Sequence, residues 1–273
     1  MLLHYVGANG VENFRQKTPR NAVEVAEVLL AAGAEVDAMA DMYGGSTTLG
    51  LIATSVHPFL ASVQNPLMDI FLKHGADINH PQAGGNQQCA VNGALANGQP
   101  QAAEFLASRG ARLDLEGAAG VGWLDVVKNF FESDGALKPT VTEAKMKSGF
   151  KWACGFGRTN VVEFLLERGL DAGEIHRGET PVHRAACGGH IEVLKLLLKT
   201  KPRVDVKDQS FDGTPLGWAL YAWREAPADH SRDRYYDVVG LLVREGAPVD
   251  PKWLNNPSIA DDPRMVAALG STV

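Results

Sequence analysis

The chain has 273 residues, of which 45% are hydrophobic, so one or two domains with a buried core are expected. Its 26 Lys and Arg residues are outnumbered by 32 Asp and Glu residues, which gives a net charge of −6 at pH 7. This balance disfavours non-specific binding to nucleic acid or to an anionic membrane.

Cysteine usage and the first residues bear on the cellular compartment. Cys89, Cys154 and Cys187 form no CxxC pair and are odd in number, so we expect reduced, unbridged thiols and a cytoplasmic protein. Met1 to Tyr5 shows no basic segment followed by an apolar run, and no later stretch approaches about 18 apolar residues. Neither a secretion signal nor a membrane span is predicted.

A short signature recurs along the chain, each time after an apolar stretch with helical spacing. The clear copies start at Gly33, Gly75, Gly110 and Gly246, and the weaker ones at Gly135, Gly169 and Lys201. Gly is typical of this position because it tolerates the left-handed backbone that ends a helix. The predicted helices before these signatures include 23–30, 67–72, 102–106, 161–166 and 238–243.

A second signature marks where the partner helix of each pair begins. Thr180-Pro181-Val182-His183 and Thr214-Pro215 place Thr where its hydroxyl can cap free amide groups, and Pro where no helical hydrogen bond is lost. After the first of these, a Gly-Gly turn ending at Gly189 leads into a second apolar helix over 191–198.

The combined unit closely resembles the ankyrin repeat, which joins a Thr-Pro-Leu-His helix, a Gly turn, a second helix and a Gly-Ala-Asp-Val-Asn β-turn. The resemblance extends from Leu2 to Asp250 and implies an all-α ankyrin-repeat solenoid of stacked helix-turn-helix units with short β-turn fingers. We expect the solenoid over 1–252 and a C-terminal capping segment over 253–273. The expected repeats are approximately 1–40, 41–82, 83–114, 115–138, 139–175, 176–207 and 208–252.

Departures from the repeat are expected at some turns and at both ends. Extra residues fall between the paired helices at 11–20, 57–64 and 224–234, where they would extend a binding edge or be tolerated decoration. Asp114 runs directly into Leu115, so the fourth repeat should lack its finger. Met1 stands where a capping Thr is expected, which indicates either a start inside a longer solenoid or a frayed helix over 1–10. A capping helix is expected over 264–269.

Histidines, glycines and cysteines show no recognisable catalytic or metal-binding spacing. His4 and His183 match the family's His, and the resemblance implies a structural hydrogen bond there; we interpret His190 in the same way. The sequence has no HExxH motif, no phosphate-binding loop and no nucleophile next to a base. We therefore predict no metal, no cofactor and no catalytic residue. Cys154 falls at a core position, whereas Cys187 lies at an exposed position and would be a solvated or partly covered thiol or a ligand contact.

Aromatic residues concentrate at the groove positions of the last three repeats. Exposed aromatic side chains are the usual anchors of a protein interface. Trp152 and Trp218 would alternatively wedge between adjacent repeats as core. The predicted partner-binding residues are Met42 and Tyr43 in the second finger, Trp152, Phe156, Arg184, Trp218 and Tyr221 on inner helices, Phe211 in a finger, and Trp223 at the last insert.

The predicted function is a protein-interaction scaffold, not an enzyme, that binds a polypeptide in its concave groove as a monomer. Neither nucleic acid nor a membrane is expected as a partner. The alternative is an enzyme or small-molecule receptor whose pocket is formed by the inserts of repeats one and two, with the polar candidates His57, Tyr43, Asp41, Arg15 and Glu12. A further alternative is the interaction half of a longer polypeptide.

Overall fold

The computed structural model describes residues 18–40, 45–80, 90–226 and 230–270. The chain forms two compact units, Met1–Gly117 and Ala118–Val273. In the described residues of each unit, helices are joined by short turns, and strand structure is limited to one short hairpin and isolated bridges.

The first unit consists of helical pairs with one β-turn finger. Its elements are α1 (Ala22–Ala31), β1 (Met39–Ala40), β2 (Ser46–Thr47), α2 (Thr48–Thr54), α3 (Val56–Leu60), α4 (Gln64–Lys73), α5 (Ala90–Ala96) and α6 (Pro100–Ser108). β1 and β2 pair antiparallel, with Met39 opposite Thr47. Helix α4 packs against α1, α2 and α6, and it buries Leu67, Met68 and Phe71 completely.

The second unit carries the candidate site on its inner helices. Its elements are α7 (Leu115–Val121), which spans the division between the units, α8 (Leu124–Lys128), α9 (Glu143–Gly155), α10 (Thr159–Leu166), α11 (Pro181–Gly188), α12 (Ile191–Leu198), α13 (Pro215–Glu225), a 3₁₀ turn (His230–Arg232), α14 (Asp233–Arg244), α15 (Pro251–Leu254), α16 (Pro257–Ala260) and α17 (Pro263–Leu269). The inner helices α9, α11 and α13 pack in series, and α10, α12 and α14 pack behind them.

Threonine caps begin the inner helices, as the sequence predicts at Thr180 and Thr214. Each hydroxyl accepts a hydrogen bond from the backbone amide three residues later, at 3.4 and 3.2 Å respectively. Thr47 and Thr142 cap α2 and α9 in the same way. These helices therefore satisfy part of their free amide groups with their own side chains.

Residues with a left-handed backbone conformation follow the outer helices, as the recurring signature predicts. The four clear signature glycines, at 33, 75, 110 and 246, have φ between 87° and 91°. The sixth repeat has Lys201 at this position with φ of 56°. For a residue that has a Cβ atom, this backbone conformation costs about 1 kcal/mol or more.

The insert at 57–64 folds into regular structure between the paired helices. It forms most of α3 and reaches the first residue of α4, Gln64. The Gln64 Nε2 atom donates to the carbonyl oxygens of Ile52 at 2.9 Å and Ser55 at 3.0 Å, which ties the insert to the end of α2. The expected position of the insert at a helix-to-helix turn is therefore confirmed.

Two further irregularities are also confirmed. Helix α7 begins at Leu115, directly after Asp114, so the described fourth repeat enters its helix without a finger. The Asp114 carboxylate caps this helix by accepting from the Gly117 amide at 2.8 Å. The predicted capping helix is α17. The frayed helix expected over 1–10 and most of the insert at 11–20 lie outside the described residues.

Cysteines and candidate metal ligands were singled out by the sequence. Cys154 is buried and Cys187 is partly covered; both thiols are free, and burial raises the pKa of each. Cys89 lies outside the described residues. Among the residues that the structure describes, no three His, Cys, Asp or Glu side chains are grouped to hold a metal ion. Nor does any helix in this part of the chain combine the length and the apolar composition that a membrane span requires.

Candidate protein-binding surface

The finger between α12 and α13 is held in shape by one buried carboxylate, Asp208. Its Oδ1 atom accepts from the amides of Ser210 at 2.8 Å and Phe211 at 2.7 Å, and Oδ2 accepts from the Gly213 amide at 2.8 Å. Burial opposes ionisation, but hydrogen bonds from Trp218 and the loop amides outweigh it and lower the pKa of Asp208 to about 2. The carboxylate is therefore ionised at neutral pH, and its hydrogen bonds fix the loop.

Phe211 lies at the tip of this finger. Its side chain is 80% exposed, the highest value among the large hydrophobic side chains that the structure describes. Its ring centre lies 6.5 Å from that of Trp218, in an edge-to-face arrangement. An aromatic side chain on a fixed loop can bury its ring against a partner while losing little conformational freedom.

Trp218 lies at the base of the finger and is fixed on two sides. Its Nε1 atom donates to Asp208 Oδ2 at 2.9 Å, and its ring packs edge-on against His183 with the ring centres 5.3 Å apart. His183 Nε2 lies 3.1 Å from the Gly213 carbonyl oxygen, which can only accept, so we assign the proton to Nε2. The structural role implied for His183 is confirmed, because it links α11 to the next finger.

The other consensus histidine, His190, also links neighbouring repeats. Its Nε2 atom lies 3.0 Å from the carbonyl oxygen of Gly155 at the end of α9. Burial lowers the pKa of His190 to about 4, so the ring is neutral at pH 7. The structural interpretation of His190 is confirmed.

Arg184 extends the surface onto α11, above a buried ion pair. Its Cζ atom lies 5.8 Å from the centre of the Trp218 ring, within the range of a cation–π contact. Its Nε and Nη2 atoms donate to Glu179 Oε1 at 2.7 and 2.6 Å. The same oxygen pairs with Lys151 Nζ at 2.6 Å, and the Lys151 and Glu179 side chains are both buried. The Glu179 carboxylate thus holds two cations, one from α9 and one from α11.

Tyr221 lies one turn further along α13 and is 59% exposed. The Arg224 guanidinium lies over its ring, with Cζ 5.4 Å from the ring centre. Together, Arg184, Phe211, Trp218 and Tyr221 form a patch that we call the aromatic surface.

The predicted exposure of Trp223 is wrong. Trp223 is only 2% exposed, because α13 continues past it to Glu225 and the insert begins after the helix ends. The continuing helix turns the indole towards α14, where its ring centre lies 6.4 Å from that of Tyr236. Trp223 is therefore left out of the aromatic surface.

The remaining predicted contact residues lie beside the aromatic surface or outside the described part of the chain. Trp152 and Phe156 are half-buried at the end of α9, the helix that packs against α11. The Arg184 side chain lies beside Gly155 at the end of α9, where a Cβ would be in van der Waals contact with it at 3.6 Å. Met42 and Tyr43 lie outside the described residues, so their role stays a prediction.

Two residues that organise the surface, Asp208 and Glu179, were missed from the sequence. Asp208 had a local signal, because an Asp before a turn often accepts from the amides that follow it. Glu179 had none: its partners Lys151 and Arg184 come from two different helices, and only the packing of α9 against α11 brings them together.

The alternative pocket of the first two inserts is only partly within the described residues. His57 is buried on α3. The other polar candidates, Glu12, Arg15, Asp41 and Tyr43, lie outside the described residues. A pocket built from these residues stays a prediction.

The helical pairs, capped turns and short fingers define a helical repeat protein. The family pattern described as ankyrin repeats (3 copies) matches residues 115–209 and 150–252, which together extend over half of the chain. The chain belongs to the ankyrin-repeat family. Proteins of this family are generally protein–protein interaction modules and typically non-enzymatic scaffolds.

Curated relatives are much longer than this chain. The chain is 34% identical to the E3 ubiquitin-protein ligase Ufd4 of Drosophila melanogaster over 104 residues, 37% of this chain and 3% of that protein. It is 27% identical over 231 residues to the ankyrin repeat and KH domain-containing protein mask-1 of Caenorhabditis elegans, covering 82% of this chain and 8% of that protein. The chain therefore spans less than a tenth of the length of either relative.

Among solved structures, the human ASB11 ankyrin repeat domain is similar to this chain. The match has 18% sequence identity and covers 92% of this chain and 100% of that domain, with a TM-score of 0.41.

Proposed function

We propose that this chain binds a polypeptide partner on the inner-helix, concave side of its last three repeats, with the aromatic surface as the main contact. The observation that carries the proposal is the exposure of Phe211 on a finger whose shape Asp208 fixes. The chain would act as a monomeric cytoplasmic scaffold without a cofactor. Its proposed organisation is seven repeats over 1–252 and a capping segment over 253–273.

The residue types on the aromatic surface support this function. Trp, Tyr and Arg are the residue types most enriched among interface positions that dominate binding energy. Trp218 and Arg184 are already held by Asp208 and Glu179, so binding a partner need not order them. Phe211 and Tyr221 keep most of their side chains exposed, so both can bury apolar area against a partner.

The test is affinity capture from native cell extract with the chain as bait, compared with the double variant Phe211→Ala/Tyr221→Ala. Removing one anchor costs about 2 kcal/mol or more of binding, so the double variant should lose its specific partner. Trp123→Ala is the matched control, because Trp123 is an exposed aromatic residue of the same unit outside the aromatic surface. Retention of the same partners by the double variant and the control would overturn the proposal.

A further inference from the structure

A small cavity lies at the end of the aromatic surface, between α13 and the helices that follow Asp250. It is lined by the buried side chains of Leu220, Trp223 and Ile259 and by Tyr221 and Trp253. The cavity has a volume of about 130 Å³, whereas drug-sized ligands occupy sites of roughly 300 Å³ or more. It therefore has room for one apolar side chain and little more.

The charge at this cavity has one sign. Arg224 is the charged residue among the described lining residues, and its side chain is 51% exposed. Its Nε atom donates to Glu225 at 3.2 Å, and the Glu225 side chain is also exposed. Exposed pairs of this kind contribute less than about 1 kcal/mol, so an incoming carboxylate can compete for the guanidinium.

We propose that this cavity receives a large apolar side chain of a partner polypeptide, and that an Asp or Glu next to that side chain pairs with Arg224. The inference rests on the proposed function, because Tyr221 belongs both to the aromatic surface and to the cavity. It adds the chemistry of the partner: a short segment in which an acidic residue lies close to the apolar one.

The cavity also depends on how closely the C-terminal helices approach α13. Trp253 lies close to the backbone of α13, since a Cβ placed on Gly217 would be in van der Waals contact with its ring at 3.7 Å. The side chain of Asn256 caps α16 by accepting from the Ser258 amide at 3.0 Å, which fixes the far wall. The cavity is therefore bounded by defined helices on both sides.

The experiment selects a phage-displayed random peptide library on the purified full chain and measures the enriched peptides by fluorescence anisotropy. Enriched sequences should share an apolar residue next to Asp or Glu. Arg224→Glu and Trp253→Ala should each weaken their binding about tenfold or more. The matched controls are Lys252→Glu and Leu254→Ala, which change neighbouring exposed residues outside the cavity lining and should leave affinity unchanged.

Several results would overturn the inference: no enrichment, an enriched motif that is basic or lacks acidic residues, or binding that neither Arg224→Glu nor Trp253→Ala weakens. The inference would also be overturned if the chain formed a dimer and Trp253→Ala abolished that dimer, because a second copy of the chain would then occupy the cavity. Phe211→Ala keeps the two proposals distinguishable. It should leave short-peptide binding intact. Retention of the same partners by Phe211→Ala/Tyr221→Ala, together with peptide binding that Arg224→Glu and Trp253→Ala weaken, would therefore count against the proposed function alone.

Discussion

At the scale of single residues, Lys201 occupies a position where the clear repeats of this chain have glycine. Its φ of 56° is left-handed, and Pro202 follows it directly. The side chain therefore adds strain at the point where the chain leaves α12 for the next finger.

Lys201→Gly is expected to stabilise the protein by about 0.5–1 kcal/mol, because relief of the left-handed strain exceeds the entropy that glycine adds to the unfolded chain. Chemical unfolding followed by circular dichroism measures the change. Lys199→Gly is the control: Lys199 has helical φ of −58°, so glycine there should destabilise. Destabilisation by Lys201→Gly would show that the strain is absent.

Asp208→Asn is expected to reduce the unfolding free energy by about 2 kcal/mol at pH 7, because the folded pKa of about 2 lies below the unfolded value of about 3.9. A lowered carboxyl pKa stabilises the fold above the unfolded pKa, and this stabilisation is lost as pH falls from about 4 to 2. The difference between wild type and variant should therefore shrink over that window in unfolding experiments.

The control for this prediction is Asp212→Asn on the same finger. Asp212 pairs with Lys207, and both side chains are mostly exposed, so its replacement should have little effect at any pH. An Asp208→Asn difference that is equally large at pH 7 and at pH 2 would contradict the assigned role of the carboxylate.

At the scale of elements, α17 covers the last outer helix of the second unit. It packs against α14 and buries Met265 completely. The Tyr236 hydroxyl donates to Asp262 at 2.7 Å, and the Arg264 guanidinium lies 4.0 Å from the centre of the Tyr236 ring. Solenoid repeats depend on their neighbours, so the last repeat needs such a cover.

Met265→Ala is expected to cost about 2–5 kcal/mol, because it leaves a cavity between α14 and α17. Hydrogen exchange should show faster exchange in α14 than in wild type. Val266→Ala removes a more exposed side chain of the same helix and should change stability by less than about 1 kcal/mol. Equal effects of the two substitutions would mean that α17 does not cover α14.

At the scale of the whole molecule, most of the fold could be predicted because its signals are local. The capping Thr180, the left-handed Gly33 and the helix start at Leu115 each depend on a few neighbouring residues. The site was harder to predict because it depends on contacts between repeats. Trp223 was misplaced because the length of α13 decides which way the side chain points. Glu179 was missed because its two cations come from separate helices.

The central claim is that the aromatic surface contacts a polypeptide. The most direct measurement places the photocrosslinking residue p-benzoylphenylalanine at position 211 of the full chain, irradiates it in native cell extract and identifies the covalent products. The account predicts a discrete polypeptide adduct at position 211 and none at position 195, where Lys195 is exposed on the outer helix α12. No adduct at position 211, or the same adducts at both positions, would contradict it.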